Sequence, residues 1–170
     1  MRIAIYLIAA LVILALQTAV ISGLPAGRQF YDLLIPLAVY FSLFRGFSSG
    51  LAVVLISGFL ADMISGAPNG MFMAVLLVVF LLFRNTAGYF HAGERFLFTL
   101  CTAAGVLLEN LAFFACLVLV QMAVPHVFVH IKLFLVQVAW VFVTAPLIYH
   151  LLSAGFKRVD QLSTRLAGKV

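Results

Sequence analysis

Two acidic side chains stand inside otherwise apolar stretches of this chain, Glu109 near the middle of one and Asp62 near the end of another. An ionisable group among oily neighbours is costly to hold there. Such a residue is therefore a functional-site candidate by default, and a binding or relay role is the first to weigh. Thr102, Glu109 and Cys116 recur every seven residues, so they lie close to one helical face, with Asn110 beside Glu109. His130, Gln137 and Thr144 repeat that spacing farther along. Two polar stripes on adjacent helices would face each other inside a bundle and hydrogen-bond across it, for about 0.6 kcal/mol per bond on average. Three readings of this face stand open: alignment of the last two helices, a polar cavity that takes a ligand or a proton, and contact with a partner's transmembrane helix.

Asp62 belongs to a different pattern. Gly58, Asp62 and Ser65 share one face of their segment, and the breaker run Ser65-Gly66-Ala67-Pro68-Asn69-Gly70 follows at once. One reading makes Asp62 the cap of that turn, accepting hydrogen bonds from amides that Pro68-Asn69-Gly70 leaves free. The other makes it a contact for a partner. Spacings of four between small residues, as at Gly46 and Gly50, favour close helix packing.

Signatures of catalysis are missing. The chain has no H-E-x-x-H, no G-x-S-x-G, no paired intramembrane aspartates and no phosphate-cradling glycine loop. Its histidines (His91, His126, His130 and His150) fall mostly at the ends of apolar blocks. Cys101 and Cys116 lie fifteen positions apart in one segment, roughly 22 Å along a helix, too far for a disulfide. We expect no enzyme activity, no cofactor and no metal site.

The elements that hold these residues follow from composition. Hydrophobic types make up 66% of the 170 residues and charged types 9%, against about 25% charged in soluble domains. A globule of this size keeps too much of its surface in water to hide that load. Lipid must be the solvent, and in lipid every backbone amide needs an internal partner. The apolar blocks are continuous and not alternating, which selects helices over barrel strands. Six blocks are legible, at 3–22, 31–44, 47–64, 71–90, 96–123 and 128–154. The first is expected to be a retained helix and not a cleaved signal. Pro36 either kinks the second helix or sits near its start. The expectation is an all-α, polytopic bundle of about six transmembrane helices over 1–154, with a basic cytoplasmic tail over 155–170. Six crossings put both termini on one side. Arg2, Arg45, Arg84, Arg95, Lys157, Arg158, Arg165 and Lys169 then share that side, while Arg28 and Lys132 lie opposite. This bias makes the shared side cytoplasmic. The net charge of +5 is spread singly over block ends and the tail, which argues for membrane topology and against nucleic acid.

The stretch Asp32-Leu33-Leu34, Tyr40, Arg45-Gly46, Gly50, Gly58 and Asp62 through Gly70 resembles the rod shape-determining protein MreD family. That family typically shows a D-L-L segment, a short helix with an aromatic, a basic turn, a glycine-spaced helix and a D-x-x-S-G-x-x-x-G ending. Pro36 within the second helix, and Glu109 where an aspartate is more usual, depart from its pattern. The resemblance implies a bacterial inner-membrane protein of the cell-elongation machinery that regulates peptidoglycan synthesis without catalysis. Its implied partners are the single-span protein MreC and, through it, MreB, RodA and the associated transpeptidase. The fold is also similar to the substrate-binding subunits of energy-coupling-factor transporters, so a vitamin-like small-molecule binding subunit is the alternative. As partner or helix-interface candidates we single out Gly58, Asp62, Ser65, Gly66, Thr102, Glu109, Asn110, His130, Gln137 and Thr144.

Overall fold

Apolar blocks that cannot leave an amide unpaired become helices, and all six are present in the computed structural model. It describes residues 2–21, 31–65, 70–86, 94–121 and 127–167, and their side chains except at 2–4, 20, 21, 94, 117, 119–121, 127–131 and 157–167. Helix α1, Arg2–Leu16, is prolonged by a π-helical turn, Gln17–Ile21. Then come α2 (Leu34–Phe44), α3 (Phe47–Ser65), α4 (Met71–Arg84), α5 (Glu94–Gln121) and α6 (Val127–Ala167). The last helix runs on through most of the stretch expected as a tail.

Three segments are long and apolar enough to cross a membrane: Phe47–Ser65, Arg95–Cys116 and Lys132–Phe156. Shorter apolar helices cover Ile5–Ala19, Leu34–Phe44 and Met71–Arg84. Helix α2 is the shortest. Its eleven residues rise roughly 16 Å, about half of a 30 Å hydrocarbon layer. Every residue from Leu34 to Ser42 is buried. A helix that is apolar on all sides belongs at the centre, and α2 packs against each of the other five helices. Pro36 is its third residue, where the missing N–H has no partner to lose.

The two ends of the bundle differ in chemistry. At one end, the Tyr6 ring meets those of Phe41 and Phe156 at centroid distances of 5.2 and 5.0 Å. The Arg45 guanidinium lies 5.3 Å from the Tyr6 ring and 5.4 Å from the Phe156 ring. Arg84 donates to the carbonyls of Ser42 and Arg45, at the C-terminal end of α2. Cations are favoured there because the last helical carbonyls carry partial negative charge. The start of α1 and the Phe156 region of α6 therefore share this end with Arg45 and Arg84.

The opposite end is built by acids and amides. Asp62 reaches from α3 to the first turn of α4, accepting from Phe72 N–H at 2.8 Å and Met73 N–H at 3.1 Å. Gly70, at φ +90°, turns the chain into α4. Gly58, one turn before Asp62, lets the two helices touch: a Cβ there would stand 2.7 Å from Met73 Cα.

Candidate functional site

Because α2 is short, its N-terminus ends inside the bundle. Asp32 Oδ1 accepts the Leu34 N–H at 2.8 Å, which caps that helix. The neighbouring Leu33 N–H donates to Gln17 Oε1 at 3.1 Å, and the Gln17 amide in turn donates to Asp32. Gln17 opens the π-helical turn of α1. Such turns widen a helix locally and often occur at functional sites.

Over this capped end lies a cavity of about 260 Å³ lined by Gln17, Asp32, Phe72, Glu109, Asn110, Phe113 and Gln137. Four helices and the α2 cap contribute to it. Phe72 and Phe113 form an edge-to-face pair at 5.3 Å. Asn110 donates through Nδ2 to Gln137 Oε1 at 2.7 Å and to the Val106 carbonyl at 2.8 Å, which ties α5 to α6. Glu109 is 7% exposed and lines the cavity without a hydrogen bond to any described residue. Asp32, also 7% exposed, is near enough for the two carboxyls to interact electrostatically. Two ionised carboxylates sharing one low-dielectric site repel, and a bound cation or proton relieves that.

The remaining residues singled out from the sequence are placed as follows. Asp62 is buried and fastens α4, with Gly58 on the same face of α3. Ser65 is exposed at the last position of α3. Thr102 is fully buried and bonds its own helix, donating to the Phe98 carbonyl at 2.7 Å. Thr144 gives its one hydrogen to the Trp140 carbonyl at 2.7 Å, so in its 2.6 Å contact with Tyr31 the tyrosine hydroxyl donates. Gly66 and the side chain of His130 lie outside the described residues. Helices α5 and α6 are joined by Gln137 of the α6 stripe and by Asn110, which stands beside the α5 stripe and not in it. Glu109 instead turns toward α2, and Thr144 toward Tyr31.

Sequence reasoning missed Gln17, Phe72 and Phe113 as site residues, and took Asp32 only as part of a motif. Gln17 did carry a signal, since an amide within the first apolar block is itself expensive in lipid. Replacing Gln137 with Leu removes the α5–α6 bond, and we expect a loss of about 0.6 kcal/mol in unfolding titrations. A loss well beyond roughly 1.7 kcal/mol, the upper end for interhelical bonds in bilayers, would refute so modest a role.

The chain matches no protein-family model, no curated protein and no solved structure.

Proposed function

We propose that this chain is a six-span protein of the bacterial inner membrane that serves, without catalysis, as a scaffold of the cell-elongation complex. In this reading the end carrying Arg45 and Arg84 faces the cytoplasm, as positively charged ends do. The partner is a single-span protein of the MreC kind, through which MreB, RodA and its transpeptidase are reached.

The observation that carries the reading is a groove of about 390 Å³ between α4 and α5, lined by Ala74, Val75, Val78, Leu108, Leu111, Ala112 and Ala115. Three of these seven are alanines. Lipid gives apolar helices no hydrophobic reason to associate, so small residues that permit close backbone approach mark where a transmembrane helix docks. A second support is structural. Asp32 and Asp62, which anchor the resemblance to the MreD family, each hold the start of a helix. The motif thus builds the bundle that presents the groove.

The test is crosslinking in native membranes from a photoreactive side chain at Ala74 or Ala115. We expect capture of a single-span protein with an extracytoplasmic domain, and its loss when Ala112→Phe fills the groove. Capture that persists in Ala112→Phe, or none from either position, would overturn the assignment. The polar cavity favours the second reading, a small-molecule binding subunit of an energy-coupling-factor-type transporter. Under that reading, deleting the gene abolishes uptake of one nutrient and leaves cell shape unchanged.

A further inference from the structure

The cavity over α2 holds a buried acid that no described residue engages by a hydrogen bond. Asp32 caps α2 and is held by Gln17. Asn110 and Gln137 are joined to each other. Asp62, the other acid of the same end, is spent on α4. Glu109 alone is more than nine-tenths buried, lines the cavity and bonds to no described residue. A buried carboxylate with no donor among the described residues is costly to keep. An alignment device would have been directed at α6, where Asn110 already does that work.

We propose that this cavity, with Glu109 as its anchoring carboxylate, binds a small organic ammonium ion. Three features select that class. The wall is rich in acceptors: among the described residues, Glu109, the Asn110 carbonyl oxygen and Asp32 face two amide donors, the Gln137 NH2 and the Gln17 NH2, and Asp32 already takes one hydrogen of the latter. This repels anions and welcomes an N–H-bearing cation, whose hydrogen bonds to carboxylate are about twice as strong as neutral ones. The Phe72 and Phe113 rings supply apolar surface and π-faces on which an ammonium group is also stabilised. Size completes the argument. The cavity, about 260 Å³, greatly exceeds the 10–15 Å³ or so that one water requires. A bare ion would leave most of it unfilled, and no group of three or more His, Cys, Asp or Glu is placed to hold a metal among the described residues.

The inference is independent of the scaffold reading, and its test needs only the full chain purified in detergent. Benzylamine and its uncharged counterpart benzyl alcohol are titrated against the protein and followed by calorimetry and by melting temperature. We expect saturable binding and stabilisation by the amine and none by the alcohol. Glu109→Gln should weaken amine binding roughly ten- to a hundredfold, the range for losing one charge-assisted hydrogen bond. Should that variant fail to fold, Gln137→Glu provides the opposite test: a third carboxyl on the wall should tighten amine binding. Equal effects of amine and alcohol, no binding of either, or undiminished amine binding in Glu109→Gln would each overturn the proposal. So would a Glu109→Gln protein that loses a membrane partner while the parent ignores free amines. The carboxylate would then serve a protein's ammonium group.

Discussion

Asp62→Ala should lower the unfolding free energy of the purified chain by about 3–6 kcal/mol, since two hydrogen bonds to a charged acceptor are lost at about 1.5–3 kcal/mol each. The carboxylate is 6% exposed and takes the N–H groups of both Phe72 and Met73. These belong to the first turn of α4, where backbone donors have no intrahelical partner. Gly70, which directly precedes α4, offers no side-chain acceptor in its place. The alanine variant therefore leaves two amides unsatisfied in an apolar setting, and the start of α4 should fray. Asp62→Asn retains one carbonyl acceptor and should lose about half as much. Both values are read from unfolding titrations in detergent or bicelles. An alanine variant as stable as the parent would show that the cap is dispensable, and Asp62 would return to candidacy as a partner contact.

Gly58→Ala should cost about 1–3 kcal/mol, through overpacking and not through a lost bond. The added Cβ would meet Met73 Cα at 2.7 Å and Met73 N at 3.2 Å. These are backbone atoms, so no rotamer change relieves the clash and α3 must draw away from α4. The atoms displaced are those that Asp62 holds, one turn farther along the same face. The two substitutions should consequently be non-additive, with Asp62→Ala costing less in the Gly58→Ala background. Two other glycines serve as controls. A Cβ at Gly50 would meet the Phe80 ring edge at 2.7 Å, which a tilt of the ring can yield, and one at Gly46 would meet nothing within 4 Å. Melting temperatures should fall most for Gly58→Ala, less for Gly50→Ala and hardly at all for Gly46→Ala. An unchanged Gly58→Ala protein would mean that the helices are not in contact there.

Much of the bundle was legible in local pattern. Runs of apolar residues broken by Pro68-Asn69-Gly70 and its like announce helices and their ends, because the cost of an unpaired amide in lipid is paid residue by residue. The turn-capping reading of Asp62 was legible too, since a cap and the amides it serves lie only ten residues apart. The site was harder to read. A seven-residue repeat correctly places Thr102 and Glu109 near one face, but it does not say what that face meets. Helix α2 is apolar on every side, so it carries no amphipathic signal to show that it sits at the centre.

By itself, then, the sequence determined that the chain is helical, that its helices suit a bilayer, and where the helices break, because composition and local hydrogen-bonding demand decide these. Only the tertiary structure decided that Glu109 of α5 shares a cavity with Gln17 of α1 and Asp32 at the head of α2. It also decided that Thr144 of α6 meets Tyr31, whose hydroxyl donates to it. The physical reason is range. Those neighbours are set by how five helices of unequal length pack around a half-length sixth, and hydropathy, which is read along the chain, contains no record of which faces meet across it.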